Sequence, residues 1–198
     1  MRHRSVADVS QLPTYGFGSK SPIWWGTLGF VALEGTGFAL AIGAYLYLAH
    51  LAPAWPIAPA QHDIRAATIL TLLLLVSVVP NLLLDRWAKR QDLRKVRFGL
   101  VVMSLSGIAP LIARIFEFGA LTVLWDTNAY GSVIWFLLGL HTTHLLTDAG
   151  DTIVLTALMF TRHARSGKRF SDVSDNAFYW YFVVASWLPI YLLLYWVQ

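Results

Sequence analysis

The most constraining feature of the sequence is an apolar stretch at positions 130–162 that contains four ionisable side chains. These are His141, His144, Asp148 and Asp151, at successive spacings of three, four and three residues. On an α-helix, such spacings place all four side chains on one face. Because an ionisable group at membrane depth costs about 3 kcal/mol or more, we expect this polar stripe to face the interior of a helical bundle and to find partners there.

The composition indicates an integral membrane protein. Hydrophobic residues make up 57% of the 198 positions and charged residues only 13%, whereas soluble domains contain about 25% charged residues. The chain has no cysteine, which excludes disulfides and thiolate metal sites. The sequence therefore predicts one all-α membrane domain at positions 23–198, preceded by a polar surface tail at positions 1–22. The predicted transmembrane spans are 24–50, 66–84, 98–118, 130–161 and 177–196.

Lysine and arginine are distributed unevenly around these spans. All but two of the 15 such residues lie in the tail, in segment 85–97 or in segment 162–176, which fall on the same side of a five-span chain. Because positive residues are enriched in cytoplasmic loops, we predict a cytoplasmic amino terminus and an outer carboxyl terminus, in a bacterial plasma (inner) membrane. We interpret the basic segments as topology signals and expect no nucleic-acid partner.

Other charged residues are candidate partners for the polar stripe. Glu34 lies near the centre of the first span. Counted at 1.5 Å per residue, Glu34, His144 and Asp148 lie within about 8 Å of one another in depth, so Glu34 can contact one of the other two if the first and fourth spans are neighbours. Arg114 and Glu117 lie three residues apart in the third span, and we expect them to pair at the membrane interface.

Three motifs resemble those of cytochrome c oxidase subunit III. The first, WWG followed by F, EG and F at positions 24–38, is similar to the family's WGxxxFxxxEG helix with its buried glutamate. The second, at positions 130–144, is similar to the family's stretch that begins with YGS and ends with GxHxxH. The third is the ending YWYFVVASWLPIYLLLYW at positions 179–196. The motifs follow the family's order over nearly the whole chain, and five spans match its shorter form.

The resemblance implies a non-catalytic accessory subunit of a haem-copper terminal oxidase or a related membrane redox complex, with no catalytic centre of its own. Family members pack against the catalytic subunit I, bind phospholipid in a cleft between helix groups and support proton uptake, while haem and copper belong to partner subunits. On this basis Glu34, His141 and His144 are the buried polar residues of the family motifs. We expect the cleft to separate the first two helices from the last three. The candidate lipid contacts are Trp24, Trp25 and Trp180.

A metal site is the alternative interpretation of the same residues. His141, His144, Asp148 and Glu34 offer the imidazole and carboxylate groups that bind iron, zinc or copper. Helical bundles build di-iron sites from such residues on several helices. This alternative predicts a membrane-bound, metal-dependent oxidoreductase. A transporter or channel is a third interpretation, which the absence of internal repeats disfavours.

Overall fold

The computed structural model describes residues 15–57 and 64–196. Most of the predicted surface tail and the middle of the proline-rich segment after the first span therefore lie outside the described residues. The described part of the chain forms five α-helices and two short 3₁₀ turns, at Gly18–Lys20 and Arg162–Arg165. The helices are α1 Pro22–Leu51, α2 Ile64–Lys89, α3 Leu93–Gly119, α4 Ala129–Met159 and α5 Gly167–Tyr195.

These helices confirm the predicted all-α membrane bundle. Helices α1, α2, α3 and α5 are each long and apolar enough to cross a membrane. Helix α4 has 31 residues, more than the roughly 20 that a crossing needs. Its histidines and aspartates interrupt its apolar run.

Helices α1, α2, α3 and α5 extend past the predicted spans at the end of the bundle that carries the basic segments, which we call the basic end, whereas α4 stops at Met159, two residues before the end of its predicted span. Helix α2 continues to Lys89 and α3 begins at Leu93, so the connection shrinks to positions 90–92. The Asp92 side chain caps α3 by accepting from the Lys95 amide at 3.2 Å. Helix α5 begins ten residues before its predicted span. An apolar run marks the depth of the hydrocarbon layer, whereas Lys and Arg are good helix formers and continue a helix into water.

Helix α2 packs between α3 and α5, and α4 contacts α1, α3 and α5. Helix α1 is the least embedded, since only Phe38, Ala41 and Tyr45 are buried along its 30 residues. The expected division of the first two helices from the last three is therefore wrong. Helix α2 belongs to the main bundle, and α1 alone lies on the other side of the cleft described below.

Trp180 does not contact lipid as predicted. Its side chain is 1% exposed, and its indole nitrogen donates to Ser77 Oγ on α2 at 2.8 Å. Two helical turns further along α5, the Trp187 indole nitrogen donates in the same way to Thr71 Oγ1 at 2.8 Å. The spacing of seven residues places both indoles on the face of α5 that packs against α2. The aromatic composition of α5 therefore reflects helix packing as well as the membrane interface.

Candidate functional site

A buried ionic network joins α3, α4 and α5 at the His141 end of the polar stripe. The Arg114 guanidinium donates to Glu117 Oε2 at 2.6 Å and to His141 Nδ1 at 2.8 Å. The Tyr195 hydroxyl donates to Glu117 Oε1 at 2.6 Å. The Trp187 ring covers the guanidinium, with 4.2 Å between Arg114 Cζ and the ring centroid. We refer to these five residues as the Arg114 network.

The predicted pairing of Arg114 with Glu117 is confirmed, and the pair lies inside the bundle. Both side chains are only 1% exposed. The pair is enclosed by residues of α4 and α5, which the spacing of the sequence did not reveal. A buried ion pair is tolerated when further hydrogen bonds satisfy its remaining donors and acceptors, and the other members of the Arg114 network provide most of these.

Both ring nitrogens of His141 are occupied. Arginine can only donate, so Nδ1 must be the acceptor of the Arg114 contact. The proton of a neutral imidazole then lies on Nε2, which donates to the Val183 carbonyl oxygen at 3.0 Å. His141 is fully buried and links α3 to α5 through α4. A metal ion could bind this ring only by displacing one of the two contacts.

Glu34 and His144 meet as predicted, across the contact between α1 and α4. His144 Nδ1 donates to the Leu140 carbonyl at 2.7 Å, which leaves Nε2 facing Glu34 Oε1 at 3.3 Å. The Tyr179 hydroxyl donates to the other carboxylate oxygen at 2.7 Å. Glu34 thus has one polar partner on α4 and another on α5.

The last two members of the stripe have different surroundings from each other. Asp148 is 2% exposed, and neither of its carboxylate oxygens has a hydrogen-bond donor within the described residues. Asp151 is exposed and lines an open cleft. The prediction that the whole stripe turns inward is therefore correct for three positions and wrong for Asp151. A small rotation about the helix axis accumulates over the ten residues from His141 and brings the last position to the edge of the buried face.

The cleft has a volume of about 790 Å³ and lies between α1, α4 and α5. It runs from the Glu34–His144 pair towards the basic end of the bundle. Its apolar walls come from α1 and α4, and its polar side chains come mainly from α4 and α5. The lining residues include Gly26, Phe30, Asp151, Arg169, Asp175 and Tyr179.

Tyr179 and Asp175 are the site residues that the sequence analysis missed. Tyr179 belongs to an aromatic run, which is typical of a membrane interface and concealed its hydroxyl contact with Glu34. Asp175 lies before the predicted fifth span, where an acidic residue is ordinary. A helical projection of α5 extended to Gly167 would have placed both on one face, since they are four residues apart.

The residues of the alternative metal site do not come together into a group that could bind one metal ion. Within residues 15–57 and 64–196, no three His, Asp or Glu side chains lie together in a way that could hold a metal ion. His141 is engaged with Arg114 and Val183, while Glu34 and His144 face each other. The geometry therefore does not support a metal-dependent oxidoreductase built from His141, His144, Asp148 and Glu34.

Trp24 and Trp25 lie at the basic end of α1. Trp25 is 57% exposed and its indole nitrogen donates to the Ser19 carbonyl at 3.0 Å. Trp24 packs against Phe178 of α5, with ring centroids 5.4 Å apart. Trp25 thus has an exposed apolar face, and Trp24 joins α1 to α5 near the basic end.

Comparison with characterised proteins identifies relatives over most of the chain. A cytochrome c oxidase subunit 3 from Thermostichus vulcanus is 25% identical over 172 residues, which cover 86% of this chain and 85% of that protein. A probable cytochrome c oxidase subunit 3 from Mycobacterium bovis is 24% identical over 152 residues, 73% of this chain and 72% of the relative. One from Alkalihalophilus pseudofirmus is 26% identical over 134 residues, 64% and 63% of the two chains. No family model matches the chain.

Proposed function

We propose that this chain, a divergent protein similar to cytochrome c oxidase subunit III, is a non-catalytic accessory subunit of a haem-copper oxidase in a bacterial plasma membrane. In this role it packs against the catalytic, subunit I-like partner, which with other subunits carries the haem and copper. The observation that carries the proposal is the similarity over 86% of the chain. The polar contacts between the helices involve Glu34, His141 and His144, which are positions of the family motifs.

Phospholipid binding is the first part of this function. The cleft between α1 and the main bundle is open, and apolar side chains such as Ile23, Phe30 and Val154 line it. An open apolar groove in a membrane protein is filled by acyl chains, because lipid is the solvent there. The exposed Trp25 near the basic end of α1 suits the boundary between headgroups and acyl chains.

Support of proton uptake by the partner is the second part. The Glu34–His144 pair lies at the inner end of the cleft, and the Tyr179 hydroxyl donates to the Glu34 carboxylate. We propose that this pair keeps the region next to the partner hydrated and able to exchange protons. The chain itself then acts by supporting the partner's proton path and needs no redox centre of its own.

Affinity purification tests the partner. The full chain, tagged at its carboxyl terminus, is recovered in mild detergent from membranes in which it is expressed at its natural level. We expect a polytopic partner with a haem absorption spectrum to be recovered with it in a fixed ratio. Recovery of the chain without a haem-bearing protein would contradict the proposal.

A cleft-filling substitution tests the lipid function. Gly26 lines the cleft, and a side chain at this position meets no atom within 4 Å, so Gly26→Trp should fold and fill the cleft. Gly29 is also free of neighbours but is not among the lining residues, which makes Gly29→Trp the matched control. We expect Gly26→Trp alone to reduce the bound phospholipid and to shorten the active lifetime of the complex.

A further inference from the structure

We propose that a groove between α2 and α3 is a second protein contact, which receives a transmembrane helix that presents a neutral side-chain O–H or N–H donor at the middle of the membrane. The groove lies on the α2–α3 side of the bundle, whereas the cleft lies on the side where α1 packs on α4 and α5. This inference rests on the proposed function only in taking the helix from another subunit of the same complex.

The groove has a volume of about 280 Å³ and mostly apolar walls. Because a water molecule takes up about 30 Å³ of liquid, the groove has room for a protruding side chain. Two of its lining residues are largely exposed, Val76 of α2 at 68% and Leu105 of α3 at 64%. Ser77 forms the inner side, since it is 2% exposed and its hydroxyl accepts from the Trp180 indole nitrogen at 2.8 Å. The groove therefore opens away from the core.

Two prolines leave backbone acceptors beside this groove. Proline has no N–H, so it removes the donor that would bond the carbonyl four residues earlier in a helix. Pro80 in α2 does this to Val76, and Pro110 in α3 does it to Ser106. Val76 and Ser106 both line the groove, and no side chain within the described residues donates to either carbonyl. Two groove-lining residues therefore have carbonyl groups without their usual donors.

Ser106 adds a hydroxyl that forms no hydrogen bond within the described residues. Other serines near this depth of the same two helices are bonded. Ser77 Oγ donates to the Leu74 carbonyl at 2.6 Å, and Ser104 Oγ lies 3.0 Å from Thr156 Oγ1. A serine inside a helix commonly bonds back to a carbonyl of the preceding turn. Ser106 is thus a groove hydroxyl that is available to a neighbour.

These groups lie at the middle of the membrane. Val76 is twelve residues after the start of α2 and thirteen before its end, and Ser106 is thirteen residues from each end of α3. At 1.5 Å per residue, both are about 18–20 Å from the helix ends. Acyl chains have no hydrogen-bond donor, and an unpaired backbone group in the hydrocarbon layer is costly. A neighbouring protein is therefore the source of a donor at this depth.

Charge complementarity decides which side chain the groove fits. The carbonyl and hydroxyl oxygens carry partial negative charge, so their partner brings a hydrogen with partial positive charge. Ser, Thr, Asn, Gln and Trp have such groups without a net charge, and polar side chains of this kind bond between helices in membranes. Lys and Arg also donate, but a full charge at mid-membrane depth is unfavourable. The groove therefore fits a helix with a neutral donor at its midpoint and apolar residues above and below it.

Photo-crosslinking in the assembled complex tests the contact. The photoreactive residue p-benzoylphenylalanine takes the place of Leu105 in the full chain. We expect one crosslinked protein, with the link on a transmembrane segment of another subunit and within about one helical turn of a Ser, Thr, Asn, Gln or Trp. Mass spectrometry of the product locates the link. The same photoreactive residue at Leu40, which is 70% exposed on α1, is the control and should not link to that segment.

Two substitutions test the hydrogen bonds themselves. Ser106→Ala removes the hydroxyl, and Pro80→Ala returns an N–H to the Val76 carbonyl. Each should weaken retention of the crosslinked subunit in a detergent titration about threefold, the usual size of one hydrogen bond between membrane helices. Ser104→Ala is the matched control, because the hydroxyl that it removes is already bonded within the bundle, and it should leave retention unchanged.

Thermal unfolding of the full chain separates recognition from a structural role of the proline. Pro80→Ala should raise the thermal midpoint while it weakens retention, because α2 gains a hydrogen bond that the natural chain lacks. A lowered midpoint together with weaker retention would show that the proline acts through the shape of α2, and would overturn its part in recognition.

Three other results would overturn the inference. One is a crosslink from Leu105 to lipid alone, and another is a crosslink to a second copy of this chain. The third is unchanged retention in both Ser106→Ala and Pro80→Ala. Because the crosslink is measured with the natural serine and proline in place, it decides the contact even if a variant fails to fold.

The same experiments separate this inference from the proposed function. If a haem-bearing partner is recovered with the full chain while Leu105 links to no protein, the groove contact fails and the accessory role stands. If no haem-bearing protein is recovered but Leu105 links to another membrane protein, the proposed function fails and the groove contact stands.

Discussion

The two ends of the polar stripe on α4 have ionisable side chains in opposite surroundings. At one end, His141 is held by Arg114 and by a carbonyl of α5, and the nearby Glu117 receives two donors. At the other end, Asp148 is buried without a donor within the described residues, and Asp151 faces an open cleft. Within ten residues, the surroundings of the stripe thus change from a largely satisfied hydrogen-bond network to a region without donors.

The difference shows how neighbours decide the role of a buried polar group. The Arg114 network has partners from three helices, so it specifies how α3, α4 and α5 pack. The cleft has α1 as its third wall, and α1 contributes only Glu34 as a charged partner. Asp151, by contrast, is exposed in the open cleft, which is why we assign function to this end.

The largest effect is expected from breaking the Arg114 network. Arg114→Met leaves Glu117 as a buried charge without its counter-ion, and we expect a loss of about 3–5 kcal/mol in unfolding free energy. Arg114→Met combined with Glu117→Gln should recover much of this loss, because it removes both charges. Equilibrium unfolding in mixed detergent micelles measures both variants. A double variant as unstable as the single one would show that the guanidinium acts mainly through His141 and Trp187.

An effect of opposite sign is expected at Asp148. Asp148→Leu replaces a buried carboxyl group that lacks donors with an apolar side chain of similar size, so we expect an increase of about 1–3 kcal/mol in unfolding free energy. The same unfolding assay measures it, with Asp148→Asn as a control that keeps a polar group and should gain less. Destabilisation by Asp148→Leu would mean that the aspartate has an essential partner in the assembled protein.

A smaller change in stability is expected at Glu34. Glu34→Gln can still accept from Tyr179 and donate to His144, so we expect it to cost about 1 kcal/mol or less. It removes the exchangeable proton of the pair, however, and we expect slower proton uptake by the purified complex. Tyr179→Phe is the matched control, because it removes a hydrogen bond and leaves that proton in place. Equal rates of proton uptake by the complex with Glu34→Gln and by the natural complex would contradict the proposed role of the Glu34–His144 pair.

The smallest effect is expected at Asp92, a surface carboxylate in the turn between α2 and α3. Because it lies at the surface, its contribution to stability can be compared with those of the buried groups at both ends of the stripe. The Lys95 amide donates to Asp92 and, with the Lys95 side chain, holds the pKa of its carboxyl below the ordinary value. A lowered pKa in the folded state stabilises the protein above the unfolded pKa of about 4, and the contribution disappears as pH falls through the folded pKa.

The thermal midpoint of the natural chain should therefore exceed that of Asp92→Asn slightly at pH 7, and the difference should shrink at about pH 3. Asparagine keeps an acceptor for the Lys95 amide, so the comparison isolates the charge. A difference that stays constant with pH would indicate that capping alone stabilises the turn.

The number of helices, their membrane character and the inward direction of most of the stripe followed from the sequence. These features depend on apolar run length and on the high cost of charge in lipid, and both are local properties. The pairing of Glu34 with His144 was also predictable, because depth along straight helices can be counted. The extended helix ends at Lys89, Leu93 and Gly167 were not, since a helix outside the hydrocarbon layer needs no apolar residues.

The lateral arrangement of the helices was decided only in the tertiary structure. Depth is encoded along the chain, but which helices are neighbours depends on side-chain packing between segments distant in sequence. This is why Trp180 proved to be a core residue bonded to Ser77, why Arg114 was enclosed by Trp187 and Tyr195, and why the cleft separates α1 alone from the other helices. The sequence determined which groups must avoid lipid, and the packing determined which of them found partners and which were left for a ligand.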